Sequence, residues 1–349
     1  MPDTFSLDLP YAFGKPEATG VLRSMPEDFF VEEVLGFSPE GEGEHVWLWI
    51  EKRNCNTEWV AEQLARLAGV PHGAVSYSGL KDRVAVTRQW FSVHLPGKDA
   101  PEWSSLNSEQ FTVKEAVRHR SKLRRGTHRS NRFVIRLREV AGERAALEAR
   151  LAMIARSGVP NYFGEQRFGH QGGNLDQALK MFGGWRIKDR HKRSMYLSAA
   201  RSYLFNQVLA RRVVQGSWDQ ILPGEAAILA GSHSFFVVDE VDAEILRRVQ
   251  CMDIHPSGPM WGRGDVPCSG QVAELERVIA EELPAFRRGL EGADLRQERR
   301  ALRLQVMDLE WHWSDASTLE LRFGLGRGEY ATAVVRELAV CTEIAKGSS

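Results

Sequence analysis

The sequence predicts an α+β protein in which a sheet-based domain is interrupted by a more helical insertion. Three observations lead there. Alternation of apolar and polar side chains is strong toward both ends of the chain, at 87–95, 132–138 and 319–325. Helical spacing recurs in the middle instead, at 198–214 and 272–283. The character of the chain changes near Gly158, and later segments are separated by loops such as Pro256-Ser-Gly-Pro259. A length of 349 residues is natural for two cores. The expected division is 1–156 with 304–349 for the interrupted domain and 157–303 for the insertion.

Each element has a local reason. Residues 20–34 read as two extended pieces interrupted by Pro26, which has no N–H to give a ladder. Gly41-Glu-Gly43 turns the chain into a strand at 45–50. Asn56 is placed to cap a helix over 57–67, with Val60, Leu64 and Leu67 on one face and a stop near Gly69. A strand at 74–78 delivers the chain to Asp82. In 87–95, Phe91, Val93 and Leu95 share a side. Phe133, Ile135 and Leu137 alternate with Arg132, Arg136 and Arg138, which gives that strand an apolar and a cationic face. A helix over 143–156 carries Leu147, Leu151 and Ile154. Leu319, Leu321, Phe323 and Leu325 share a face, and a last helix covers 330–340.

Charge is balanced, with 46 basic and 46 acidic residues, so the total identifies no partner. Its distribution is informative. Acids dominate from Asp3 to Glu44, whereas 114–138 contains many Lys and Arg against the single acid Glu115. A second basic cluster is Arg186-Ile-Lys-Asp-Arg-His-Lys-Arg193. Segregated positive patches fit a polyanion approached on one face, although a solvated loop accounts for either run alone. The 4 cysteines are far apart with no CxxC pair, which argues against a disulfide framework or zinc knuckle and suits a reducing cytoplasm. Cys251 and His255 have i, i+4 spacing but no further ligands, so no metal is expected. No secretion signal or membrane-spanning stretch is read.

The chemistry centres on Tyr77-Ser-Gly-Leu-Lys-Asp-Arg83. A carboxylate that works as nucleophile or base needs positive charge nearby. In extended chain, Lys81 and Arg83 point away from Asp82, so the partner must come from elsewhere, and Arg23 is the candidate. On these residues alone a surface turn accounts for the segment better. Phe323-Gly-Leu-Gly-Arg-Gly-Glu-Tyr330 imitates a dinucleotide fingerprint, but Glu329 replaces the third glycine; it reads as a turn into a helix. Asn161-Tyr-Phe-Gly-Glu-Gln-Arg-Phe-Gly169 suits base stacking and a buried amide-rich loop equally.

Five segments in order then resemble the signature segments of the tRNA pseudouridine synthase D (TruD) family: Pro26-Glu-Asp-Phe-Phe-Val-Glu32, Gly79-Leu-Lys-Asp-Arg-Val-Ala85, Asn131-Arg-Phe133, Val159-Pro-Asn-Tyr-Phe-Gly-Glu-Gln-Arg-Phe-Gly169 and Tyr330-Ala-Thr-Ala-Val-Val-Arg-Glu-Leu338. The resemblance implies a mixed, mostly antiparallel sheet with flanking helices, interrupted by an inserted α/β domain. It implies a cofactor-free isomerase that converts uridine, at position 13 of transfer RNA in bacteria, to pseudouridine. Asp82 matches the catalytic aspartate, Arg23 its basic partner, and Phe133 the ring that stacks on the uracil. Phe29, Asn131 and Tyr330 match positions lining the nucleotide site. One departure is Ser130, where the family commonly has Gly. Arg124 and Arg125 are expected on RNA phosphates. The expected partner is transfer RNA, with no membrane, and the protein is expected to act as a cytoplasmic monomer. A non-catalytic RNA-binding protein on the same scaffold is the main alternative, and a metal-dependent nuclease using Glu27, Asp28 and Glu32 a second.

Overall fold

A computed structural model describes residues 5–343. In chain order it opens with β1 (Thr19–Leu22), β2 (Phe29–Val34), β3 (His45–Arg53), α1 (Thr57–Ala68), β4 (Val75–Tyr77), β5 (Val86–His94), β6 (Phe111–His119) and β7 (Ser130–Ala141). Then come α2 (Arg144–Ser157), β8 (Val159–Pro160), α3 (Gly173–Phe182), α4 (Arg190–Val214), β9 (Glu225–Leu229), β10 (Phe235–Val238), α5 (Ala243–Gln250), β11 (Ile254–His255) and β12 (Ser257–Met260). The chain continues with α6 (Gly270–Glu282), α7 (Pro284–Gly292), β13 (Glu298–Ala301), β14 (Arg303–Leu304), β15 (Met307–Trp313), β16 (Leu319–Gly326), α8 (Ala331–Leu338) and β17 (Val340–Glu343).

These elements fall into two compact units. The sheet unit holds Glu17–Leu147, Val306–Gly328 and the described residues from Ala339 on. The middle unit holds Glu148–Gln305, Glu329–Leu338 and the described residues up to Pro16.

In the sheet unit the strands run β15-β16-β7-β2-β5-β3-β6, with β1 on β7 and β17, and β4 on β5. The β2–β5 and β1–β17 pairs are parallel and the others antiparallel. The sheet is therefore mixed and mostly antiparallel. Strand β3 is flanked by β5 and β6, and Leu48, Ile50 and Lys52 are all at 0% exposure. Helix α1 covers one face, placing Val60, Ala61 and Leu64 against Ile50, Phe91 and Val93. Asn56 stands at its N-cap position without a side-chain cap bond, so burial of that apolar face supports the helix. Gly69 closes it in the left-handed region at φ 59°. Gly43 is required by a close approach: at φ 120°, a Cβ there would lie 2.5 Å from the His119 carbonyl oxygen.

The middle unit is built on α4. Its Leu204, Phe205 and Leu209 share a core with Tyr162, Phe163, Phe168, Trp218 and Phe286. The first described residues join this unit through α8: the Ala12 N–H donates to Glu337 Oε2 at 3.0 Å, and the Arg336 guanidinium lies 3.8 Å from the Tyr11 ring centre. Two ion pairs are buried on both sides, Arg212–Glu225 and Arg299–Glu276.

Two expectations change, and one of two evenly weighed readings of the Asn161 segment holds. Helix α4 starts at Arg190 rather than 198, because the Asp189 carboxylate accepts from the backbone N–H groups of His191 and Lys192. The last helix ends at Leu338, and β17 follows it and pairs with β1. The aromatics of the Asn161 segment belong to the core. Asn161 donates to the Ala301 carbonyl and accepts from Arg300, and Asn206 bonds both backbone groups of Phe163.

Candidate active site

Register brings the sequence-predicted residues of the sheet unit together. Strand β1 ends at Leu22, paired with Glu343 of β17. The next residue, Arg23, takes φ 58°, a left-handed conformation that costs a non-glycine residue roughly 1–2 kcal/mol. Its guanidinium is held on three sides. Nη2 donates to Asp82 Oδ2 at 2.8 Å, Nη1 donates to Glu343 Oε1 at 2.7 Å, and the plane lies 4.1 Å from the Phe29 ring centre. The Arg23 side chain is 8% exposed and that of Asp82 47%. The cation is thus fixed and enclosed while the carboxylate stays open to another molecule.

The irregular loop after β4 carries Asp82, and buried groups anchor it. Lys52 donates to the Asp82 carbonyl oxygen at 2.9 Å and to that of Cys55 at 2.8 Å. Burial pushes the Lys52 ammonium down to about 8. Thr57 Oγ1 accepts from the Lys81 N–H at 3.1 Å and donates to Gln89, whose amide donates to the Gly79 carbonyl at 3.1 Å.

Lys81 has partners other than Asp82, as expected, although the loop is irregular rather than an extended strand. Its Nζ lies 2.9 Å from Glu33 Oε1 and donates to Asn131 Oδ1 at 2.8 Å. Burial raises the Glu33 carboxyl, against the pull of Lys81. The Asn131 amide meets His128 Nε2 at 3.4 Å, and His128 Nδ1 bonds Ser78 Oγ. Burial, Lys81 and Arg327 push His128 down to about 4, so the ring is neutral at pH 7 and Nε2 accepts from the amide. Asn131 is therefore held through a residue adjacent to Asp82.

Phe133 lies on the same face of β7 as Asn131. It stacks on Phe323 at 5.4 Å and meets the edge of Phe29 at 6.2 Å, with 6% exposure. The ring is thus embedded in an aromatic group, with Phe323 already on one face. Arg124 and Arg125 are exposed. Tyr330 lies in the middle unit, where it is 36% exposed and its hydroxyl accepts from Arg167 at 2.6 Å.

The expected cationic face of β7 is largely neutralised, because Arg136 pairs with Glu320 and Arg138 with buried Asp28. The acids considered for a nuclease are committed elsewhere too: Glu27 to Arg53, Asp28 to Arg138 and Glu32 to Arg88. No three His, Cys, Asp or Glu side chains among the described residues are grouped to hold a metal ion. Buried His255 accepts from Arg303 Nε at 3.0 Å, whereas Cys251 is exposed.

Comparison with known proteins points to one family. The family model for tRNA pseudouridine synthase D (TruD) matches residues 9–181 and 173–338. The chain belongs to the tRNA pseudouridine synthase D family. A curated relative of that name from Methylococcus capsulatus is 53% identical over 95% of this chain and 94% of its own. Another from Nitrosococcus oceani is 50% identical over 95% and 93%. A solved structure assigned as a TruD protein from Methanosarcina mazei, 21% identical, shares the fold at a TM-score of 0.72 over 94% of this chain and 95% of that one.

In this TruD-family chain, sequence reasoning missed Lys52, Glu343, Glu33 and His128. Lys52 lay beyond the strand expected at 45–50, which runs on to Arg53 in the structure. Glu343 had no readable signal, because the chain after the helix expected at 330–340 was assigned no element.

Proposed function

We propose that this chain isomerises a uridine of transfer RNA, at position 13, to pseudouridine, with Asp82 as the catalytic residue. The observation that carries the reading is the half-open Asp82 carboxylate, bonded at 2.8 Å to an enclosed Arg23 beside Phe29. Family membership supports the same reading.

The reaction breaks the N1–C1′ bond and joins C5 to C1′. The proton on C5 is lost and N1 regains one, so no oxidant, reductant or net water is consumed. Both atoms are inaccessible inside a stacked, folded RNA, so the nucleotide is flipped out. Asp82 then acts as nucleophile or base, aimed by Arg23. Phe29 and Phe133, 2% and 6% exposed, form an aromatic floor beside Arg23 against which the uracil can rest. Tyr330, 36% exposed, offers the RNA an open ring, and stacking on such a ring contributes about 1–3 kcal/mol per base. Asn131, fixed by Lys81 and His128, has its second amide N–H to offer to a polar edge. Arg124 and Arg125 contact phosphates, so replacing both weakens binding and flattens its salt dependence. The enzyme works as a cytoplasmic monomer with no cofactor.

The test is incubation of the purified protein with an unmodified tRNA pool, followed by site-resolved pseudouridine detection. The reading expects new pseudouridine at position 13. Tight tRNA binding with no pseudouridine formed would replace it with a non-catalytic binding role.

A further inference from the structure

We propose that Trp185 and the basic start of α4 form a second RNA-docking surface, one that grips substrate phosphates and stacks an unpaired base. This deepens the proposed function and rests on it for the identity of the RNA.

Charge placement is the first support. The N-terminal end of a helix carries partial positive charge, and acidic residues are favoured there. Helix α4 does the reverse, placing Arg190, Lys192 and Arg193 in its first turn, with Arg186 and Lys188 just before it. The nearby carboxylate, Asp189, is spent on the backbone N–H groups of His191 and Lys192, at 2.8 and 3.2 Å. All five cationic side chains are exposed, and none lies within ion-pair distance of a carboxylate among the described residues. Elsewhere the structure pairs its arginines readily, as at Arg88, Arg138, Arg212 and Arg299. The sequence thus keeps a local electrostatic cost at this helix end that an external polyanion would relieve.

The second observation is independent of charge. Trp185 is 68% exposed, well beyond the 46% of Phe37, the next most open aromatic side chain among the described residues. An indole held open beside five unpaired cations matches what single-stranded nucleic acid needs: a stacking platform next to phosphate contacts. An acidic protein partner would use the cations but not the ring. RNA with an unstacked base uses both.

The experiment uses the full chain and unmodified tRNA. In one variant Arg186, Lys188, Arg190 and Arg193 are replaced by Gln; in others Trp185→Ala or Trp185→Phe is made alone. Thermal midpoints are measured first, and the charge variant is expected to be at least as stable as the wild type, since its cations oppose the helix dipole. Its tRNA Kd should rise at least about tenfold near 0.1 M salt, with a log Kd–log salt slope shallower by roughly 2–3, from losing about four phosphate contacts at ~0.7 each. Trp185→Ala should weaken binding about fivefold or more with an unchanged slope, and Trp185→Phe should restore most of it. Single-turnover rates at saturating protein should match the wild type. A folded charge variant with wild-type Kd and slope overturns the surface. If Kd changes as expected but no preparation forms pseudouridine, the surface stands and the isomerase reading fails.

Discussion

Two arginine–carboxylate pairs use the same chemistry to opposite ends. In the middle unit Arg212 and Glu225 are both buried, with side chains 1% and 0% exposed and an N–O distance of 2.9 Å. Nε and Nη2 of Arg212 donate to the carbonyls of Ser217 and Gln220, which holds the guanidinium inside the fold. In the sheet unit Arg23 is nearly as enclosed, but Asp82 is not. Burying both charges makes a structural rivet whose geometry cannot serve another molecule. Burying only the cation fixes the direction of the anion and leaves its reactivity available. The difference lies in exposure rather than distance, for the two pairs are within 0.1 Å of each other in length, at 2.9 and 2.8 Å.

Substitutions on either side should separate a rivet from a working pair, and the rivet should give the largest effect. Glu225→Ala leaves a buried guanidinium uncompensated and should cost about 3–5 kcal/mol in urea unfolding, with activity per folded molecule unchanged. A loss under 1 kcal/mol would show that Arg212 re-pairs easily and is no rivet.

Two neutral histidines extend the contrast to pH. His128 near Lys81 and His255 on Arg303 are pushed by burial to about 4 and about 3 from an ordinary 6.5. The unfolded chain binds these protons first. Stability is therefore complete above pH 6.5 and falls as pH drops toward those values, by at most about 1.4 kcal/mol per pH unit per histidine. His128→Gln should flatten its share of that loss in denaturant titrations between pH 6.5 and 4. An unaltered slope would mean that the ring is protonated in the fold.

Arg23→Ala should lower kcat by about 10²-fold while tRNA affinity holds, because the carboxylate loses its direction rather than its charge. An equal loss in affinity would make Arg23 a phosphate contact instead. The smallest effect is expected from Lys52→Met, which keeps the volume but frees the Asp82 carbonyl: about tenfold in kcat by the same positional argument. A full-rate variant would show that Thr57 and Gln89 suffice to hold the loop.

Much of the fold and site was legible in the sequence because it depends on local pattern. Period-two alternation gave β7 the apolar face of Phe133, Ile135 and Leu137, and the five ordered segments brought Asp82, Asn131 and Phe133 forward. Apolar spacing and Gly69 fixed α1. What was not legible depends on pairings distant in sequence. Glu343 reaches Arg23 across 320 residues, from a short strand for which the sequence reading assigned no element. Lys52 lay past the expected end of its strand, and its burial depends on β5 and β6 enclosing the longer β3. The cations of β7 looked free because their partners, Asp28 and Glu320, are 110 and 184 residues away. The start of α4 could have been found from Asp189, whose carboxylate caps the backbone N–H groups of His191 and Lys192.

Every step proposed for the site depends on Asp82 as the reacting carboxylate, and tritium release from tRNA carrying 5-³H-uridine reads that role without an intermediary. Asp82→Asn, assayed at saturating protein beside the wild type, should fold and bind tRNA normally while release falls to background. Release within tenfold of the wild type would show that the open carboxylate beside Arg23 does not perform the chemistry.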